Sequence, residues 1–436
     1  MTNQRKLKYL LVLSTVLVTL FASAPVLAST TPTTSLGPST QFYVPKPNPG
    51  AMEQIADLIS SGNTADANLI RRMIKRPQAV WFTQGTPESV EQNVKKTVER
   101  AVDQGTVPVL VAYNIPFRDC AQFSAGGATS VVEYKAWIDG FAAGIGNGIA
   151  VVILEPDGLG IIPWYNPFAN RDTWVSNPNY EWCQPAEANP ATAASNRFAM
   201  LNYAVDKLKE NPGTSVYLDG THSAWLGAGD AADRLIQAGV ADADGFYLNV
   251  SNYQVNERLE KYGSWTSKCI AFASHPSSWG NGHSEWCASQ YFSPNGPVNP
   301  NDFSTWIYTD QWYTNNVESQ TWWYSESVLE HFVIDTSRNG QGPWTPPPGA
   351  YPDAQDWCNP PDRGLGLRPT ANTGNALLDA YLWIKIPGES DGECTRGLGP
   401  GGTTVDPEWG LIDPAAGAWF PEMALDLARN ANPSLP

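Results

Sequence analysis

The chain has 436 residues, 27 Lys+Arg against 43 Asp+Glu and a formal net charge of −16, with 42% hydrophobic and 16% charged residues. This is too long for a small disulfide scaffold and suits one large α/β domain or two ordinary ones, and the composition excludes wholesale disorder. The acidic balance argues against a nucleic-acid partner and against an anionic membrane surface, both of which need Lys/Arg patches. The 18 Trp, 17 Tyr and 14 Phe exceed what a core requires and point to flat apolar ligands.

In chain order, residues 1–28 read as a secretion signal. Arg5, Lys6 and Lys8 form a basic start, Tyr9 to Phe21 is apolar, and Val26-Leu27-Ala28 supplies the small residues that signal peptidase accepts. The apolar run is short for a spanning helix, and no later segment reads as one, so no membrane partner is expected. Residues 29–40 are Thr/Ser/Pro-rich and read as a short disordered lead-in. Residues 41–436 follow as one folded domain.

There, apolar runs of strand length alternate with helical stretches. The strands are expected at Ala79–Phe82, Val107–Tyr113, Ile149–Leu154, Ser215–Leu218, Gly245–Val250, Phe332–Ile334 and Tyr381–Ile386. They are rich in β-branched residues and continuous rather than alternating, as strands buried on both faces of a parallel sheet are. Helical spacing marks Pro87–Val102, Ser130–Gly144, Asn196–Asn211 and Asp230–Ala238. The order implies a right-handed α/β sheet or barrel of about seven strands. Cys269–Ala273 could be an eighth strand but is left unassigned. Tyr262–Glu326 and Gly388–Ala418 read as irregular, and loops so long in a compact domain are usually functional covers.

Six cysteines (Cys120, Cys183, Cys269, Cys287, Cys358, Cys394) read as an oxidising-compartment set, for which sequence alone leaves fifteen connectivities open. None has zinc spacing, and the four His (His222, His275, His283, His331) are not paired at helical intervals, so no metal site and no cofactor are expected.

Several expected strands run into acids: Leu154 into Glu155-Pro156-Asp157, Tyr113 toward Asp119, Leu218 into Asp219, Ile334 into Asp335, and Ile384 into Lys385, Glu389 and Asp391. In barrels and open α/β sheets the C-terminal strand ends form one rim, where active sites sit. A lone Asp after a strand is more often a cap or turn former, and that reading leads for Asp335, whereas for Asp219 both readings stay open. Several carboxylates with a Lys and many Trp are harder to explain so. Clustered carboxylates raise one member's pKa and leave another ionised, which suits a glycosidic bond broken by one acid and one base. Tryptophan faces stack on the apolar faces of sugar rings.

At these residues the chain resembles a known family. Val111-Ala-Tyr-Asn-Ile-Pro-Phe-Arg-Asp-Cys-Ala-Gln-Phe-Ser-Ala-Gly-Gly127 resembles the first signature of glycoside hydrolase family 6, and Val151-Val-Ile-Leu-Glu-Pro-Asp-Gly-Leu159 the second. The stretches Tyr217–Trp225, Asp356–Gly366 and Trp383–Asp391 agree, and the likeness runs from about Gln41 to the C-terminus. It implies a distorted seven-stranded β/α barrel with long loops over the C-terminal rim, hydrolysing β-1,4-glucan (cellulose) with inversion.

Carried over by position, the resemblance makes Asp157 the general acid, Asp119 the aspartate that sustains its raised pKa and holds the water chain, and Asp391 the candidate base. Tyr113 favours ring distortion. Trp357 and Trp225 become stacking platforms, with Lys385, Glu389, Asp219, His222 and Asn249 as polar sugar-binding groups. The family's catalytic-loop Ser falls at Ala125 here, so Ser124, one residue earlier, is its stand-in. The resemblance also implies bridges Cys120–Cys183 and Cys358–Cys394, which leaves Cys269 and Cys287 for each other.

In this family, roofed clefts go with cellobiohydrolases and open ones with endoglucanases. Extra length at Ile161–Pro190, Tyr262–Glu326 and Gly388–Ala418, and the likeness of Asp406–Glu422 to bacterial cellobiohydrolases, favour release of cellobiose from non-reducing ends. An endoglucanase is the alternative, and a non-catalytic glucan-binding protein the reading from another class. A secreted, extracellular monomer with cellulose as its partner is expected. No cellulose-binding module is visible.

Overall fold

In the computed structural model, residues 36–168, 179–296, 301–399 and 404–436 are described. The expected secretion signal and residues 29–35 of the lead-in lie outside them. Leu36 to Thr40 are not disordered as expected: Thr40 N–H donates to Gly37 O at 2.8 Å, and Leu36 is buried against the barrel interior.

Seven strands form one parallel sheet in sequence order: β1 (Val80–Phe82), β2 (Val109–Ala112), β3 (Ala150–Leu154), β4 (Thr214–Asp219), β5 (Gly245–Leu248), β6 (Phe332–Asp335) and β7 (Leu378–Leu382). Sequential order with every pair parallel is the mark of repeated β/α units. The sheet curls into a half-barrel. Across the gap, Ala79 N–H donates to Trp383 O at 2.9 Å and Trp81 Nε1 donates to Ile384 O at 2.8 Å.

Strand residues alternate between two apolar cores. Val109, Val111, Val151, Ile153, Tyr217, Tyr247, Val333, Ala380 and Leu382 point into the barrel. Leu110, Ala112, Val152, Leu154, Val216, Leu218, Phe246, Leu248 and Ile334 point out toward the helices. Both faces are covered, which is why the sequence runs are continuously apolar.

The outer layer includes α3 (Pro87–Asp103), α4 (Val131–Ile145), α5 (Ala193–Lys209), α6 (Ala228–Gln237) and α7 (Asn256–Ser274). Two earlier helices, α1 (Pro49–Ser60) and α2 (Thr64–Met73), pack with the C-terminal α9 (Pro421–Arg429) around Trp383 in a third core. A short helix, α8 (Ile307–Tyr313), lies within the long α7–β6 connection.

Two expectations shift. Cys269–Ala273 belongs to α7, so no eighth strand forms there, and the stretch from Tyr262 is helical to Ser274 before it becomes irregular. Strand β7 begins at Leu378 rather than Tyr381, because Asp379 reads as a break in sequence. In the fold its carboxylate is satisfied inside, accepting from Tyr217 OH at 2.7 Å and pairing with His331 Nδ1 at 2.7 Å.

Disulfides join Cys120–Cys183, Cys269–Cys287 and Cys358–Cys394. Among the described residues no helix is long and apolar enough to cross a membrane.

Candidate active site

At the C-terminal ends of the strands lies a cavity of about 430 Å³. Its walls carry Tyr113, Asp119 and Ser124 after β2, Asp157 after β3, His222 and Trp225 after β4, Trp357 on the β6–β7 connection, and Lys385 and Asp391 after β7. Residues as far apart in sequence as Tyr113 and Asp391 are thus gathered by the parallel register of the strands, as the rim of an α/β sheet requires.

Asp157 sits on a tight turn with a φ of 61°, a left-handed conformation that Asp tolerates better than most residues. The turn is built on Glu155, buried beneath it, whose carboxylate accepts from Asn114 N–H at 2.9 Å and Ile115 N–H at 2.9 Å and so ties β3 to the segment after β2. Burial pushes the Asp157 carboxyl well above the carboxylate range, and Asp219, Asp119 and Asp391 push it further, with Lys385 opposing them. No described side chain or backbone group bonds to this carboxyl, and Asp157 lines the cavity.

Behind Asp157, Asp219 is buried and accepts from Thr221 N–H at 2.8 Å and from Leu159 and Gly160 N–H at 3.1 Å each. It fixes the turn that carries Asp157 and supplies negative charge rather than a contact in the cavity. Asp119, with a φ of 54°, accepts from Ser124 N–H at 2.7 Å. Burial raises its pKa, the Ser124 N–H and Arg118 pull it back, and Asp391 adds to the rise. Arg118 also stacks over the Tyr113 ring at 4.6 Å, and its Nη1 donates to Tyr113 O at 2.5 Å.

Asp391 is held differently. Its Oδ2 takes Arg338 Nη1 at 2.8 Å and Asn359 N–H at 3.1 Å, and its Oδ1 faces Lys385 Nζ at 3.2 Å. Burial alone would raise its pKa, but the two cations outweigh burial and hold the carboxyl below the usual range. Asn359 in turn donates from Nδ2 to Asp413 at 2.8 Å.

Two tryptophans present faces to the cavity. Trp225 packs over Gly160, where an added Cβ would lie 2.4 Å from its ring, and Trp357 leans on Phe123 with ring centroids 5.9 Å apart. His222 lies 5.7 Å from the Trp225 ring, and burial lowers its pKa to about 4, so it is neutral near pH 7.

Besides Asp219, two further sequence-expected binding groups are placed away from the cavity wall. Asn249 is 0% exposed, donating to Asp335 O at 2.9 Å and accepting from Gln254 N–H at 3.0 Å, so it holds the turn after β5 instead of a sugar. Glu389 accepts from Asn48 Nδ2 at 2.8 Å and stands behind Lys385. Asp335 accepts from Lys385 N–H at 2.9 Å and Ser337 N–H at 2.9 Å, the turn-forming role expected of it.

Sequence reading missed Trp81, Gln122, Trp182 and Tyr253 on the walls, and Arg338 against Asp391. Trp81 lies within β1 and Tyr253 in the segment after β5, and in sequence both are indistinguishable from core aromatics. The described residues bring Cys394, Asp406 and Asp413 together, but Cys394 is disulfide-bonded and Asp406 is paired with Arg396 at 2.7 Å, so the group is already occupied by internal bonds.

The model of the glycosyl hydrolases family 6 matches residues 38–431. The chain belongs to glycosyl hydrolase family 6. It is 32% identical over 395 residues to endoglucanase A of Cellulomonas fimi, covering 90% of this chain and 62% of that protein. This family 6 chain thus spans less than two thirds of that relative's length. It is 27% identical over 425 residues to a probable 1,4-β-D-glucan cellobiohydrolase C of Aspergillus niger, covering 90% of this chain and 77% of that one. The structure of the endoglucanase Cel6 from Mycobacterium tuberculosis, in complex with methyl-cellobiosyl-4-deoxy-4-thio-β-D-cellobioside, aligns with a TM-score of 0.60 at 31% identity, covering 91% of this chain and 98% of that one. The family 6 fold is therefore the one built here, down to the seven parallel strands.

Proposed function

We propose that this chain hydrolyses β-1,4-glucosidic bonds of cellulose with inversion, and that residues 41–436 form the catalytic domain. The observation that carries the reading is Asp157. It is a carboxyl on the cavity wall, without a bonded partner among the described residues, and burial first, then three neighbouring carboxylates, favour its protonated form, which suits donation to a leaving oxygen.

Asp157 donates to the glycosidic oxygen as the bond to the anomeric carbon lengthens. The positive charge that develops on the sugar ring faces Asp119 and Asp391. Water attacks from the opposite face, as inversion requires. Asp391 is the candidate base, but Arg338 and Lys385 stabilise its ionised form, so its affinity for the water's proton is weak and its negative charge does more for the ring cation. Asp119, whose pKa lies above the ordinary value, suits the receiving end of a water chain, with the Ser124 N–H fixing one of its oxygens. Trp225 and Trp357 stack on sugar rings, Tyr113 crowds the ring to be distorted, and Lys385 and His222 meet hydroxyls. Asp157→Ala should stop most turnover on soluble cello-oligosaccharides while leaving binding in place; equal turnover would end the assignment.

We further propose release of cellobiose from non-reducing ends. The support is the length of described chain that follows the C-terminal ends of three strands: residues 155–168 and 179–192 after β3, 336–377 after β6, and 383–399 and 404–420 after β7. Internal cutting is the second reading, favoured by the endoglucanase names of the Cellulomonas fimi and Mycobacterium tuberculosis relatives. New reducing ends from amorphous cellulose, divided between soluble and insoluble fractions, decide between them. Ends almost wholly in solution support the first, and a large insoluble share the second. The three disulfides and the sequence of residues 1–28 support secretion, and a monomer acting alone on cellulose completes the reading.

A further inference from the structure

Four tryptophans line the cavity: Trp81, Trp182, Trp225 and Trp357. Trp182 is the most exposed of them, at 56%, and its ring stacks on no other among the described residues. A large apolar ring held in water costs free energy, so a fold that fixes one there without covering it leaves a face for a ligand.

The mounting is rigid on both sides. Cys183, next in sequence, is disulfide-bonded to Cys120, which directly follows Asp119. Glu181, just before, is ion-paired with the buried Arg234, whose Nη1 also donates to Leu159 O at 2.8 Å, beside the Gly160 that underlies Trp225. The backbone is bonded as well: Glu181 N–H donates to Tyr165 O at 2.8 Å, and Trp164 N–H donates to Cys183 O at 2.9 Å. A pre-ordered indole loses little freedom when a ligand stacks on it.

We propose that Trp182 is a further sugar-stacking platform of the cleft, taking a glucosyl ring peripheral to those held by Trp225 and Trp357, so that this wall reads chain length. The inference rests on the glucan reading above. Its occupant is one glucosyl unit of a β-1,4-linked chain, whose apolar face suits an indole and whose hydroxyls remain in water at so exposed a position. A short oligosaccharide that spans only the inner platforms does not touch Trp182, whereas a longer one does.

The test compares wild type, Trp182→Ala and Trp182→Phe on cellotetraose and cellohexaose, with thermal unfolding of each variant recorded alongside. Trp182→Ala is expected to lower kcat/KM for cellohexaose about tenfold, equivalent to about 1.4 kcal/mol, and to leave cellotetraose unchanged. Trp182→Phe, which keeps an aromatic face, is expected to recover most of the loss. An equal loss on both substrates would mean that the substitution acts through Cys183 and Cys120 on Asp119, and would overturn the platform. No loss on either would overturn it too. A wild-type protein inert on both oligosaccharides would overturn the glucan reading itself and the platform with it, and that failure is distinguishable because it appears before any substitution is made.

Discussion

Asp157 and Asp391 face one cavity from different walls and are held in opposite ways. Among the described residues the β3 wall gives the Asp157 carboxyl no hydrogen-bond donor, and burial together with Asp219, Asp119 and Asp391 raises its pKa. The β7 wall gives Asp391 two cations and an amide, so that it stays ionised. The same side chain thus has its pKa raised on one wall and lowered on the other according to its neighbours. Strand order decides which neighbours those are, because each wall inherits them from a different pair of adjacent strands.

The strongest way to break the comparison is to remove the protonated member. Asp157→Ala is expected to lower kcat by about a hundred- to ten-thousand-fold, the usual size of a general-acid contribution, with cello-oligosaccharide affinity kept. Single-turnover assays beside calorimetric binding check this. Activity should also fall as pH rises through the raised pKa of Asp157, since only the protonated form donates.

Next comes the ionised member. Arg338→Ala leaves the buried Asp391 short of its main partner, and removing one half of a buried pair typically costs about 3–5 kcal/mol. Chemical denaturation should show a loss of that order, and the basic limb of the activity profile, which belongs to Asp157, should move less than the stability does.

A third prediction sharpens the contrast across the whole chain. Burial raises Glu155, Glu330 and Asp413 each to about 7. A carboxyl whose folded pKa lies above its unfolded value contributes stability that is present at low pH and lost as pH rises through the folded value. Asp391, depressed, runs the other way: its contribution is present above the unfolded carboxylate pKa and is lost as pH falls through the folded value. The melting temperature is therefore expected to be higher near pH 5 than near pH 8, and to drop again in strong acid. A curve that rises steadily from pH 5 to pH 8 would contradict this.

The smallest effect is expected at Gly160→Ala. Its backbone allows any residue, but the new methyl meets the Trp225 ring at 2.4 Å. KM for cello-oligosaccharides should rise a few-fold as that ring tilts, with kcat nearly unchanged.

Much of this arrangement is legible in the sequence. The continuous apolar runs reveal strands covered on both faces, and acids placed directly after them reveal the rim. Helix α7 is not legible, because Leu259, Tyr262, Trp265, Cys269, Ile270 and Phe272 are buried on nearly all sides and leave no one-sided stripe to find. Arg338 and Asn359 are not legible either, since their roles depend on Asp391, which only the register of β6 against β7 brings near. Asn249 is expected on the wall only by position in the family resemblance. In the fold its left-handed φ of 71° and two backbone bonds show a turn former.

The half-barrel closes through one backbone bond, from Ala79 N–H to Trp383 O, and one side-chain bond, from Trp81 to Ile384 O. Every other neighbouring pair of strands shares a ladder. Ladders open cooperatively, whereas a lone bond opens by itself. In deuterated water the Ala79 amide should therefore lose its proton well before those of Val111 or Ile153. That seam lies beside Trp81, so the weakest join in the sheet is also next to a wall of its cavity.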